Sequence, residues 1–175
     1  MVNIRIIPMQ FSRVGILERM LDRISQILRS DVRIELHPMD LTDCFDPVRS
    51  QYNANTIINK LSSYDLGSNK IIGVTDLDLF IPVLSYVFGQ AYLGGTTALI
   101  SGHRLENSRY GLPEDQVNYE QRLLKCLLHE LGHTFGLKHC LNPSCIMLST
   151  TYVEEMDHKS DYFCPNCLTE LKRMV

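Results

Sequence analysis

The sequence has no excess of basic residues and does not begin like a secreted protein. Its 17 Lys and Arg residues are outnumbered by 20 Asp and Glu residues, giving a net charge of −3. This balance offers no electrostatic footprint for nucleic acid or an anionic membrane, so we expect neither as a partner. Residues 1–8 lack the charged segment, apolar segment and small-residue cleavage site of an export signal. We therefore expect a cytoplasmic protein.

Charge is also missing from residues 79–102, which contain no Asp, Glu, Lys or Arg. A run of that length raises the question of a membrane span. Pro82, Gln90 and the polar and glycine residues at 94–97 interrupt it. Because such residues are typical of turns, two buried strands joined near Gly94 fit the run better than a membrane helix.

The length and composition suit one compact domain. A chain of 175 residues, 45% of them hydrophobic, can bury a substantial core. We expect a single monomeric domain over residues 1–175, with an upper part at about 1–136 and a small lower part at about 137–175.

The most informative stretch contains two histidines four residues apart, with a glutamate beside the first. On an α-helix, His129 and His133 project from one face, where both can bind one tetrahedral zinc ion. Glu130 lies about 100° further round the helix. It is therefore poorly placed as a ligand and well placed to reach a water on the metal, as in the H-E-x-x-H pattern.

A third histidine follows a glycine. His139 would point away from the metal if the helix continued, so the chain must turn sharply after His133. Gly136 can adopt the positive φ that such a turn needs. Three imidazoles would leave the fourth zinc position open, which is typical of a catalytic zinc.

Four cysteines in the last 36 residues form a second metal-binding pattern. Cys140, Cys145, Cys164 and Cys167 make a C-x4-C and a C-x2-C pair. In a chain without an export signal, such pairs indicate a closed structural zinc more readily than disulfides. We expect two zinc ions, one catalytic and one structural. Cys44 and Cys126 are interpreted as small buried residues.

The combined string H-E-x-x-H-x-x-G-x-x-H-C-x4-C-x-M-x16-C-x2-C resembles the archaemetzincins, a metzincin-clan family of zinc metallopeptidases. The long histidine motif is typical of the clan, and the four cysteines point to the family. The resemblance covers residues 129–167. It implies that Met147 forms the Met-turn below the catalytic zinc. Some metzincins place an assisting tyrosine two residues later, but Ser149 stands there, and Tyr152 does not match the position.

The resemblance also implies a substrate-binding edge strand on the upper rim of the cleft. The best match by order along the chain is Gln90, Ala91, Tyr92, Leu93 and Gly94. The fold class expected is α/β (α+β in some schemes), a metzincin-like mixed five-stranded twisted sheet with an antiparallel edge strand. Two helices pack against the sheet, an active-site helix backs the cleft, and the C-terminal subdomain is stapled by zinc.

Apolar periodicity predicts individual elements along the chain. Ser12 is a candidate N-cap of the first helix, and Pro47 is a candidate first residue of the second. In chain order the pattern predicts a strand at 3–7, a helix at 12–29, a strand at 32–36, a helix at 46–64, a strand at 70–75, strands at 86–93 and 97–101, a loop at 102–116, the zinc helix from about 118, and a last helix at 166–174. The strand–helix–strand opening favours a parallel pair.

The predicted function is hydrolysis of peptide bonds in a peptide or protein substrate by a zinc-bound water that Glu130 activates. Two alternatives stay open at this point. Zinc-dependent ribosomal-RNA maturation endoribonucleases share the three-histidine spacing, although they usually carry Gly in place of Glu130 and lack the four cysteines. A non-catalytic zinc-binding module on the same scaffold is the third interpretation.

Overall fold

The computed structural model describes residues 2–64 and 70–174, which fold around a five-stranded mixed sheet of order β2-β1-β5-β8-β7. The elements are β1 (Asn3–Pro8), α1 (Val14–Leu28), β2 (Asp31–Ile34), β3 (Phe45–Asp46), β4 (Gln51–Asn53), α2 (Ala54–Ser62), β5 (Lys70–Thr75), β6 (Leu79–Phe80), β7 (Gly89–Ala91), β8 (Thr97–Ser101), α3 (Gln116–Thr134), α4 (Val153–His158) and α5 (Pro165–Lys172). This confirms the predicted fold class.

The two faces of the sheet are covered by different helices. Alternate residues of a strand point to opposite faces, so Ile72 and Val74 of β5 pack with α1 and α3. Ile71 of the same strand packs with α2 on the other face. Strand β5 is buried along almost its whole length and pairs in parallel with β1 and β8. The predicted strand at 70–75 is confirmed, and it is the central strand of the sheet.

The edge of the sheet has the predicted antiparallel strand. Strand β7 pairs with β8 through Gln90 opposite Leu99. It is shorter than expected: of the predicted segment at 86–93, only Gly89–Ala91 is a strand. Residues 86–88 instead form an irregular segment on the rim of a cavity.

Two helix starts were predicted wrongly. Residues 45–53 form a hairpin before α2 begins at Ala54, because the Asp46 carboxylate accepts hydrogen bonds from the backbone N–H groups of Val48 and Arg49 and closes a turn. Ser12 does not cap α1. Its N–H and hydroxyl both donate to Asp76, at 2.9 and 3.0 Å.

The lower part of the chain contains a helix that the periodicity did not predict. Helix α4 is only six residues long, which is too short for an apolar stripe to be recognised in the sequence. The expected loop at 102–116 contains two short 3₁₀ helices, at His103–Leu105 and Asn107–Tyr110. Within the described part of the chain, no helix is both long and apolar enough to cross a membrane.

Candidate metal centre and cleft

Helix α3 brings the first two histidines together. It begins where the Asp115 side chain accepts a hydrogen bond from the Asn118 N–H, and its leucines are buried in the core. The Nε2 atoms of His129 and His133 lie 3.1 Å apart. The Nδ1 atoms lie 2.8 Å from the Ile146 carbonyl oxygen and 2.7 Å from the Leu137 carbonyl oxygen. Since a carbonyl only accepts, each Nδ1 carries the hydrogen and each Nε2 presents a lone pair.

The turn after α3 brings in the third histidine. Gly136 has a φ of +91° and its N–H donates to the His133 carbonyl at 2.9 Å. This turn directs the exposed His139 back toward the helix, so that one nitrogen from each of the three rings lies within 4.8 Å of the others. We call His129, His133 and His139 the three-histidine site.

The donor set fits zinc. A tetrahedral ion with zinc–nitrogen distances of about 2.0–2.1 Å needs nitrogens about 3.3 Å apart, close to the separation of the first pair. Burial, together with the charge of Lys159, lowers the pKa of His129 to about 3, and burial also lowers the pKa of His133. Both rings are therefore neutral near pH 7, as metal ligands must be.

Glu130 lies beside the site and against the edge strand. Its side chain is buried, and burial raises the pKa of its carboxyl to about 8 although the Lys159 charge opposes the shift. A β-carbon at Gly89 would be only 2.7 Å from Glu130 Cγ. The carboxyl, His129 and His139 all line a cavity of about 430 Å³.

The four cysteines also converge. One sulfur from each of Cys140, Cys145, Cys164 and Cys167 lies within 4.8 Å of the others, and none of these thiols is in a disulfide. The Sγ atoms of Cys140 and Cys164 are 3.8 Å apart. This is the sulfur–sulfur spacing that zinc–sulfur bonds of about 2.3 Å require in a tetrahedron. The Cys167 backbone N–H lowers the pKa of Cys164 to about 7, which favours the thiolate that binds metal.

The segment around Met147 connects the two centres. Met147 is fully buried under α3, where a β-carbon at Gly132 would be 2.5 Å from its Sδ atom. The Met147 carbonyl accepts a hydrogen bond from the Cys140 N–H at 2.9 Å, and Ile146 holds His129. The Met-turn role that the resemblance implied for Met147 stays a prediction.

The predicted substrate-binding segment is only partly on the edge strand. Gln90 and Ala91 lie in β7, whereas Tyr92, Leu93 and Gly94 follow it in a turn. The Gly94 N–H donates to the His133 carbonyl at 2.8 Å, which attaches this turn to the end of α3.

Two cavity residues, Gly89 and Lys159, were not predicted from the sequence as parts of the site. Gly89 immediately precedes the predicted segment, but nothing in the pattern distinguishes it from other glycines. Lys159 lies in a polar stretch and would ordinarily be read as a solvated surface residue. Only the fold places it under the three-histidine site.

A cleft with three convergent imidazoles, a buried carboxyl and an edge strand free on one side is typical of zinc metallopeptidases. The profile of peptidase family M54 matches residues 4–173. The archaemetzincin of Pyrococcus furiosus is 42% identical over 133 residues, which cover 75% of this chain and 69% of that protein.

Two solved structures have the same fold. The crystal structure of archaemetzincin from Methanopyrus kandleri superposes with a TM-score of 0.87 at 32% identity, covering 98% of this chain and 94% of that one. A zinc-dependent peptidase from Methanocorpusculum labreanum gives 0.85 at 33% identity, covering 96% and 99%. The chain belongs to peptidase family M54, the archaemetzincins, and is a zinc metallopeptidase. The predicted family and enzyme class are confirmed.

Proposed function

We propose that the chain hydrolyses peptide bonds at the three-histidine site and that Glu130 transfers the protons. The observation that carries this proposal is the 3.1 Å convergence of His129 and His133 Nε2, with both Nδ1 atoms bonded to backbone carbonyls. Such hydrogen bonds fix the tautomer and the ring orientation before any metal binds. His139 completes the set and leaves the cavity side open for substrate.

The reaction needs a Lewis acid and a group that transfers protons. When bound, zinc supplies a Lewis acid that polarises the substrate carbonyl and eases deprotonation of water near neutral pH. Glu130 accepts a proton from the attacking water and returns it to the departing amine. Burial raises the pKa of this carboxyl, and the positive charge of a bound zinc ion would lower it again, which would leave the carboxylate able to accept the proton.

The edge strand supports a peptide as substrate. Among the strands of residues 2–64 and 70–174, β7 pairs with β8 and has no strand on its other side. An extended peptide can add to the other side through main-chain hydrogen bonds without requiring particular side chains. We assign this role to Gln90 and Ala91 first and to Tyr92, Leu93 and Gly94 as the turn that continues the rim.

The four cysteines are assigned to a second, structural zinc, giving two ions per chain. Four thiolates leave no open position for substrate. The small lower part, about 137–175, is too short to build a separate hydrophobic core, and a bound metal can supply stability in its place. Membership of the peptidase family favours this function over the endoribonuclease alternative.

Cleavage of a peptide library by zinc-loaded protein, read by mass spectrometry, tests the proposal. Glu130→Ala should lower the rate by about 10²–10⁴-fold, the usual contribution of proton transfer, with unchanged zinc content. Glu154→Ala removes an exposed carboxylate and serves as the control. Undiminished cleavage by E130A would refute the role of Glu130. No cleavage by the zinc-loaded wild type would favour the non-catalytic module.

A further inference from the structure

A buried cation lines the cavity beside the three-histidine site. Lys159 is 4% exposed, and its Nζ donates to the backbone carbonyls of Ile146 and Leu148 at 3.1 and 3.0 Å. An ammonium has three hydrogens, so one donor is not used by these two bonds.

The positive charge has no close acidic partner. Within residues 2–64 and 70–174, no carboxylate oxygen forms an ion pair with Lys159 Nζ at 4.0 Å or less. Burial is the main influence on the pKa of Lys159 and lowers it, and Glu130 opposes this shift through space without a hydrogen bond. Burying a charge without a counter-ion is costly. The two hydrogen bonds to backbone carbonyls do not by themselves explain why a lysine is buried at this position.

The rest of the cavity is apolar or neutral. Apart from Glu130 and the two histidines, Lys159 contributes the only ionisable amine or carboxyl group on the described walls. The other lining side chains are hydrocarbon, sulfur or hydroxyl groups, and they include Val87, Phe88, Cys126, Met156, Ser149 and Thr151. A side chain that enters this space meets an apolar wall and one cation.

The cavity lies on one side of the three-histidine site. It is lined by Glu130, His129 and His139 and not by His133. Because Glu130 gives its proton to the departing amine in the proposed function, the residue that carries this amine lies on the Glu130 side. The first residue after the cleaved bond is therefore the one that faces the cavity.

We propose that the cavity selects a carboxylate in the first residue after the cleaved bond and that the free Lys159 donor binds it. The inference rests on the proposed function and narrows its substrate class to peptides that carry a carboxylate in the first residue after the cleaved bond. The carboxylate comes from one of two sources, an Asp or Glu side chain or the C-terminal α-carboxylate of the substrate. Both present the same planar anion to an ammonium.

Matched peptides separate the two sources. One pair carries Glu or Gln after the cleaved bond, inside a longer chain with an amidated end. A second pair ends at a Gln in that position, with either a free or an amidated C-terminus. The zinc-loaded wild type should cleave at least one carboxylate-bearing peptide about 10- to 100-fold faster than its neutral partner, the range that a hydrogen bond to a charged group provides.

Lys159→Met should bring that ratio close to one. Because the ratio compares two peptides in the same variant, a loss of activity that is common to both peptides does not change it. Lys159→Gln, which can still donate to the two carbonyls, should do the same if the Met variant does not fold. Lys125→Met is the matched control, because Lys125 is also buried and bonded to a backbone carbonyl, that of Met156, but does not line the cavity. The control should keep the wild-type ratio.

The outcomes distinguish this inference from the function on which it rests. Equal cleavage of both members of each pair by the wild type, or an unchanged ratio in both Lys159 variants, would overturn the selectivity and leave peptide hydrolysis intact. If no peptide is cleaved, calorimetric binding of the same pairs to zinc-loaded protein decides the point. Tighter binding of the carboxylate peptide, lost in K159Q, supports the inference, and equal binding refutes it.

Discussion

Gly89 is the residue at which the edge strand comes closest to Glu130. A β-carbon there would lie 2.7 Å from Glu130 Cγ and 2.8 Å from the Leu99 carbonyl oxygen. The backbone of β8 cannot retreat easily, so we expect Gly89→Ala to displace the Glu130 side chain. Overpacking of this kind costs about 1–3 kcal/mol. The expected result is at least a tenfold lower kcat with normal zinc content, measured by peptide cleavage and metal analysis.

The control for Gly89 is Gly15. It lies in the exposed part of α1, where an added β-carbon would meet nothing closer than 3.9 Å. Gly15→Ala should therefore keep full activity and raise thermal stability slightly, because alanine favours a helix. Wild-type kcat in G89A would show that Glu130 does not depend on the space at Gly89.

At the residue scale, the sequence predicted the groups whose chemistry is tied to fixed spacing. Histidines four apart on a helix meet by geometry alone, and a glycine before His139 indicates a turn. Cysteine pairs with two or four residues between them predict a metal site in the same way, because their spacing brings the sulfur atoms together. Lys159 reaches the cavity because of the path that the chain takes after Met147, and no local sequence pattern predicts that path. The neighbouring residues in the sequence also do not show whether a lysine is buried or exposed.

At the scale of elements, helices α3 and α4 are held together by an ion pair between a buried arginine and an aspartate that is open to solvent. Arg122 is 3% exposed and its guanidinium donates to both Asp157 oxygens, at 2.7 and 2.6 Å. Asp157→Asn removes the charge of the carboxylate, while Arg122 keeps its hydrogen bonds to the Leu105 carbonyl and the Asn107 side chain. We expect a loss of about 1–2 kcal/mol in the free energy of unfolding at pH 7, because solvent screens the exposed carboxylate, measured by denaturant titration.

The same pair predicts a dependence on pH. Burial alone would raise the pKa of Asp157, but the hydrogen bonds and charge of Arg122 outweigh it and hold the pKa below its ordinary value. The folded state thus binds fewer protons than the unfolded state, and the stabilisation is lost as pH falls below about 4. The stability of D157N should decline less steeply in that range, and parallel curves would contradict the assignment.

The four-cysteine centre and the three-histidine site are adjacent through His139 and Cys140. We expect Cys164→Ser to weaken the four-cysteine centre and to loosen the loop that presents His139, which the Cys140–Met147 hydrogen bond now fixes. Zinc affinity at the histidines should then fall at least tenfold in a competition titration, as when supporting groups of a metal ligand are lost. Unchanged affinity there would make the two centres independent.

Some elements could not be predicted from the sequence because hydrogen bonds between side chains and backbone determine them. These elements lie outside the segments with a periodic apolar pattern. Asp46 and Pro47 have the chemistry of a helix start and equally that of a turn. The turn forms because β4 pairs with β3 on one side and with β6 on the other. Long amphipathic or fully apolar elements, such as α1, α3 and β5, were predicted well, since burial alone determines them.

At the scale of the whole molecule, metal binding should contribute to stability as well as to activity. A ligand held at about a thousandfold above its dissociation constant stabilises a fold by about 4 kcal/mol, which corresponds to roughly 10 °C for a chain of this size. Chelator-treated protein should melt lower by that order and lose cleavage, and zinc should restore both. Metal analysis should return two zinc ions per chain. Identical melting curves with and without zinc would contradict the structural role of the four-cysteine centre.

Two contacts attach the rim of the cleft, residues 89–94, to helix α3, one at each end of the rim. At one end, Gly89 lies close to the Glu130 side chain. At the other end, the Gly94 N–H donates to the His133 carbonyl in the last turn of α3. A peptide paired with β7, as proposed, would therefore have its position relative to α3 determined by these two contacts. The distance between the backbone of such a peptide and Glu130 would then depend on these contacts. The bond that is cleaved would follow from which residues of the peptide pair with β7.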